Sequence, residues 1–236
     1  HGNTYIVSVG EYGKYLGDLS LTQKENGRWD MDSYELIKVD DSIEPDAAKQ
    51  EKVDALMNMV DSKYLEQFGF TKDQVLCTNE VEFASQSDTE KKHTELNLGS
   101  IMADAYTYAV EQVSDDSHPV DVAVVPSGTI RDSYPMGEIT TQNVFHSFSL
   151  GIGKDEIPGY PMISIYLTGK ELKMAAEIDA SISDLMTTAR LYTDGLYWTY
   201  NPKRMILNKA TDVYLCDGDE NRIELEDDTL YRVVTD

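Results

Sequence analysis

Residues 120–125, VDVAVV, are nearly all apolar and stop at Pro126-Ser127-Gly128. A short apolar run closed by turn residues is the pattern of a strand buried inside a sheet. Helical periods lie on both sides of it. Leu98, Ile101, Met102, Ala105, Tyr108 (or Ala109) and Gln112 mark one helix; Leu172, Ala175, Ile178 and Ile182 mark another. Strand patterns follow at Ile163, Ile165 and Leu167, then over 195–200, 205–215, 222–225 and 230–235. Residues 75–83 read as a further strand, 84–93 as a polar loop, and 137–140 as a turn into a short helix near 142–148, capped by Thr140 or Thr141. The fold class expected is α+β (mixed α/β), a sheet with packed helices.

The first forty residues differ. Residues 5–9 read as a short strand, 15–22 as a second, and Asn26-Gly27 as a two-residue hairpin turn leading to a return strand over 29–39. Residues 40–47 are polar and acidic, and Pro45 with neighbouring acids suits the first turn of a helix. Val53, Leu56, Met57, Val60 and Tyr64 then share one helical face. The organisation expected is a terminal β fragment over 1–44, a linking helix over 45–70 and a main domain over 71–236. A chain of this length should fold to a surface of roughly 10,700 Å², burying about 70% of what the unfolded chain exposes.

Charge narrows the partners. Asp and Glu total 43 against 20 Lys and Arg, a formal charge of −23. Negative potential of that size repels phosphate backbones and anionic lipid, so neither nucleic acid nor a membrane surface is an expected partner. No run approaches the 18 apolar residues of a membrane span. The two cysteines, Cys77 and Cys216, sit in no metal-ligand spacing; one disulfide or two buried thiols both fit.

Few residues are placed for chemistry. The four histidines, His1, His93, His118 and His146, form no HxH or HExxH pair, so no metal site is expected in this chain. Residues 217–221, DGDEN, open like an EF-hand loop, but the sixth position is Arg222 instead of Gly and the twelfth Asp228 instead of Glu. An acidic hairpin turn is the expected reading. Ser127 follows a buried strand, yet no motif supplies it with a base. The loop 126–132, PSGTIRD, is the better candidate, because α/β folds place ligand loops at such strand ends. Arg131 puts a permanent cation into an anionic molecule, where it would hold a carboxylate or phosphate, or else pair with Asp132 or Glu138.

Five segments in order then resemble the 5′-nucleotidase C-terminal domain. Residues 94–105, TELNLGSIMADA, resemble its "TNLG-x-L-I-A-D-A" helix start. Residues 122–132 resemble its "DxAxxNxGGIR" strand and loop, and 137–145 its "GDITYGDVF". LTGKEL at 167–172 and YRVVT at 231–235 match two more. Residues 5–17 are similar to the closing strands of the metallophosphatase domain that precedes this one in the family.

The resemblance implies a substrate-binding domain for a nucleoside or nucleotide. It implies hydrolysis of nucleotide, UDP-sugar or cyclic-nucleotide phosphate esters by two divalent metal ions held in the preceding domain. No catalytic residue and no metal ligand is then expected here. It also implies an extracellular, periplasmic or cell-surface location. By the same match, the ligand contacts are Arg131 and Gly128 in the loop, with Leu150 and Ile152 standing where the family's "PFGN" carries Phe and Asn. Leucine offers no aromatic face to a base, and register argues against Phe145 or Phe148 taking its place. Nor do the arginines that usually precede the helix have a match better than Lys92. A second reading therefore stands beside the first: a binding or structural module that has left nucleotides behind.

Overall fold

The computed structural model describes residues 4–10, 13–114, 118–216 and 221–236. The chain divides into two compact units, one ending at Tyr64 and one beginning at Leu65. The division falls inside the segment expected as a linking helix.

In the first unit, β1 (Tyr15–Gln23) and β2 (Trp29–Lys38) form an antiparallel hairpin. Gly27 turns the chain at a φ of +76°, and its N–H donates to the Lys24 carbonyl at 2.9 Å. That left-handed conformation is open to Gly at no steric cost. Residues 5–9 are not a strand. Side chains hold them instead: the Met31 N–H donates to the Tyr5 hydroxyl at 3.0 Å, and the Tyr34 hydroxyl donates to the Ser8 carbonyl at 2.7 Å. Helix α1 (Ala47–Lys63) starts at Asp46, whose carboxylate accepts from the Lys49 N–H at 2.9 Å. Pro45 stays outside the helix. No described residue of this unit is buried.

The second unit is built around β4 (Val122–Pro126), the strand expected at the centre. The sheet runs β6 (Ile163–Thr168), β11 (Leu230–Thr235), β4, β7 (Leu191–Asp194). Only the β11–β4 pair is parallel. Helix α3 (Asn97–Val113) covers one face, where Leu98, Met102, Ala103 and Tyr106 meet Ala123, Val125, Ile130, Tyr192 and Val234. On the other face, Val122, Val233 and Tyr231 pack with Leu172 of α5 (Gly169–Ile182). Leu196 of β8 (Leu196–Tyr200) and Leu215 of β9 (Ala210–Cys216) join them. A three-stranded sheet of β8, β9 and β10 (Arg222–Glu224) thus backs the first. Arg232 is buried within β11. Its guanidinium donates to the His118 carbonyl at 2.7 Å and to the Ser114 and Ser164 hydroxyls at 2.8 and 3.0 Å.

Several expectations need correction. Residues 84–93 contain a helix, α2 (Gln86–Lys91), capped by Ser85 and anchored by buried Thr89. Six residues carry too little apolar period to announce it. Residues 137–140 are a strand, β5 (Gly137–Thr140), paired with β3 (Val75–Asn79). Thr140 caps the following helix α4 (Thr141–Ser147) through a reciprocal bond network with Asn143. β7 was not anticipated as a strand. The face of α3 includes Tyr106, while Tyr108 is exposed; α5 buries Ala176 and Asp179 and turns Ile178 outward. Cys77 is exposed, Cys216 is half-buried, and both are free thiols, so the disulfide and the two buried thiols both fall away. The molecule exposes 15754 Å², well above the expected surface, with large apolar side chains of the first unit among the exposed groups. The β9–β10 hairpin brackets the EF-hand-like segment; residues 217–220 of that motif lie outside the described residues, as does His1.

Candidate functional site

The loop after β4 forms a 3-10 turn over Ser127–Thr129. Ser127 is fully buried and its hydroxyl donates to the Thr187 carbonyl at 2.8 Å, which makes it a structural serine and no nucleophile. Gly128 lies against Thr188: an added Cβ would meet the Thr188 carbonyl oxygen at 3.0 Å. Arg131 is half-buried. Its Nη1 reaches the Gly128 carbonyl at 3.5 Å, and among the described residues it pairs with neither Asp132 nor Glu138. Its backbone N–H donates to the Ser147 carbonyl at 2.9 Å, which ties the loop to the end of α4.

That tie sets the wall of a cavity of about 540 Å³ on the outer flank of α3. Its floor is a second apolar stripe of the helix, Ile101, Ala105 and Ala109, one position off the stripe that enters the core. Phe148, Leu150 and Tyr160, which follow α4 in the chain, line it together with Tyr134 and Phe83. Thr129, Tyr106 and Asp236 give it a polar end. Burial raises the Asp236 carboxyl above its ordinary value, while the neighbouring Tyr106 and Thr129 hydroxyls favour its charge. Burial likewise raises the Tyr106 phenol, and Asp236 adds to the shift. The size and the mostly apolar lining suit a small organic ligand with one polar anchor.

Of the four residues expected at the site, Leu150 lines this cavity. Ile152 is 71% exposed, and Ile152, Gly128 and Arg131 do not line the cavity, although Thr129 of the same loop as Gly128 and Arg131 does. Phe148 is in the cavity and Phe145 is not. Tyr160, which also lines the cavity, was not among the residues expected there. The available signal was the pair of glycines, Gly151 and Gly159, spaced to close a loop that ends just before it.

A smaller pocket of about 130 Å³ lies at the β7–β8 end. Asp179, 1% exposed, accepts from His93 Nε2 at 2.9 Å through one oxygen. Its other oxygen accepts from the Ser183 hydroxyl at 2.9 Å and the Leu191 N–H at 2.8 Å. The Arg190 guanidinium donates to the carbonyls of Thr89 and Thr94 and lies 5.1 Å from the centre of the Tyr192 ring. Tyr200 stacks on His93 at 4.4 Å and donates to its carbonyl at 3.1 Å. These contacts pin residues 89–94 to the sheet, while His93 Nδ1 stays buried without a hydrogen-bond partner, 3.6 Å from the Asp184 carboxylate. Among the described residues there is no group of three or more His, Cys, Asp or Glu placed to hold a metal ion.

A model of the family "5′-nucleotidase, C-terminal domain" matches residues 69–236, and the chain belongs to that family. No curated protein matches at a significant level. Solved structures show the same fold. A 5′-nucleotidase precursor of Thermus thermophilus aligns at 21% identity and a TM-score of 0.67, over 97% of this chain and 41% of its own. The NAD nucleotidase of Haemophilus influenzae aligns at 14% and 0.50, over 97% and 44%. The sulfate thiohydrolase SoxB of Thermus thermophilus aligns at 18% and 0.57, over 94% and 36%. The chain therefore spans less than half the length of these relatives.

Proposed function

We propose that this chain supplies the nucleoside- or nucleotide-binding domain of a 5′-nucleotidase-like phosphoesterase, with the α3 cavity as its ligand site. The observation that carries the reading is the cavity itself: about 540 Å³, apolar on most sides and closed at one end by Thr129, Tyr106 and Asp236. It lies within the segment matched by the family, and Leu150 on its wall is one of the residues expected at the ligand. In this reading Arg131 and Gly128 shape the loop that carries Thr129. Hydrolysis belongs to a metallophosphatase domain preceding this one, where two divalent metal ions would be held; the residues described here contribute binding and orientation only. Action outside the cytoplasm goes with this reading. No helix among the described residues is long and apolar enough to cross a membrane.

The chain titrated with adenosine, AMP and UDP-glucose in a calorimeter tests this. Saturable heat with at least one of them is expected. No heat for any, with the longer parent enzyme active on one, would remove a nucleoside role from this domain.

A second reading is favoured by one feature: Leu150 and Ile152 stand where the family carries Phe and Asn, and Ile152 is mostly exposed. On that reading the cavity serves a different ligand or none, and the parent's upstream sequence lacks the Asp, His and Asn metal motifs.

A further inference from the structure

The cavity contains five aromatic rings, and four are already engaged. Phe83 and Tyr134 meet edge to face at 5.6 Å, and the Tyr134 hydroxyl bonds that of Ser147 at 2.9 Å. Tyr106 and Phe148 pack at 5.5 Å. Tyr160 has no ring partner and no hydrogen bond among the described residues, and it is 51% exposed at the cavity wall.

Its position is built. The chain leaves α4, turns at Gly151 with a φ of +81°, and returns through a small hairpin. The Gly159 N–H donates to the Gly151 carbonyl at 3.0 Å, Ile152 bridges Pro158, and the Gly153 N–H donates to the Ile157 carbonyl at 2.9 Å. The Tyr160 ring lies against Gly151 so closely that an added Cβ there would fall 2.4 Å from Cδ1 and 2.7 Å from Cε1. Any other residue at 151 would be strained in its backbone and would displace the ring. Gly151 therefore serves to seat Tyr160.

We propose that Tyr160, carried on this clasped hairpin, is the stacking surface for the planar ring of the bound ligand, supplying from a different chain position the face that Leu150 cannot offer. This rests on the nucleoside reading and names the residue that positions the base. A half-exposed ring with a backbone support behind it is already held for stacking, so little side-chain entropy is lost on binding. Stacking a base on such a ring is sequence-tolerant, because every base has a π-face. The site would accordingly discriminate little among bases and strongly against ligands lacking one.

The test is titration of the full chain with adenosine, and with ribose 5-phosphate as the ligand without a base. Tyr160→Ala should weaken adenosine binding by about tenfold or more, while Tyr160→Phe should stay within about threefold. Ribose 5-phosphate binding should not change in either. Gly151→Ala should reproduce the loss of Tyr160→Ala. Tyr160→Trp should keep binding, with its emission quenched as adenosine saturates, a response that a purely structural role would not give. A Tyr160→Ala chain that binds adenosine as tightly as the wild type overturns the stacking role and leaves the nucleoside reading standing. A wild-type chain that binds none of adenosine, uridine and AMP overturns both.

Discussion

Helices α1 and α3 are both 17 residues long, and both repeat apolar residues at helical spacing. Their fates differ. α1 buries nothing, and Leu56 on its apolar face is 61% exposed. α3 buries Leu98, Gly99, Met102, Ala103 and Tyr106 against a sheet, and keeps a second apolar stripe for the cavity. Periodicity therefore defines a face, and the rest of the fold decides whether that face becomes core, binding surface or neither. α3 has a partner in its own unit: a strand, β4, in which Val122, Ala123 and Val125 are buried and Val124 and Pro126 half-buried. Among the described residues, the first unit offers only a two-stranded hairpin, which on its own is marginally stable in water.

Substitutions separate the two helices. The largest effect is expected from Leu98→Ala, which removes a fully buried side chain from the core. It should cost about 2–5 kcal/mol in chemical denaturation of the second unit. A loss below about 1 kcal/mol would mean that α3 is not packed as described.

A smaller effect depends on pH. Tyr192 packs under α3, and burial pushes its phenol up to about 12 from an ordinary 10.0. The unfolded chain releases this proton first, so stability from this group is complete below pH 10 and falls as pH rises toward 12. Denaturation at pH 9 and pH 11 should show a steeper loss for the wild type than for Tyr192→Phe. Equal losses would place the phenol in a more solvated position than the structure gives it. The smallest effect belongs to α1: Leu56→Ala should change the stability of this chain by less than about 0.5 kcal/mol. A cost near that of Leu98→Ala would show that the apolar face of α1 is covered.

Much of this architecture was legible before the structure. The run 120–125 marked the central strand because its apolar residues are nearly unbroken and end at Pro126. Thr140 or Thr141 was legible as the start of α4, since cap residues act locally, and the structure shows the cap to be Thr140. What was missed depended on partners distant in sequence. β5 is a strand only because β3 lies beside it, and β7 only because it closes the edge of the sheet at β4. The site divides the same way. Leu150, expected at the ligand from a recognisable segment, lines the cavity. Tyr160 was not expected there because its place depends on a bond between Gly151 and Gly159 and on a ring packed against a missing side chain. Asp179 hid for a related reason: an acid on a helix looks solvated until His93, Ser183 and the Leu191 N–H converge on it.

The central claim is that the second apolar stripe of α3 is the floor of a nucleoside site. Ala105 lies on that stripe and is exposed, so Ala105→Trp fills the cavity without entering the core. Calorimetric titration of the wild-type and Ala105→Trp chains with adenosine is the direct measurement. The account predicts saturable heat for the wild type and at least about a tenfold loss of affinity for the variant, with the unfolding midpoint nearly unchanged. Adenosine bound equally well by both chains, or by neither, would contradict it.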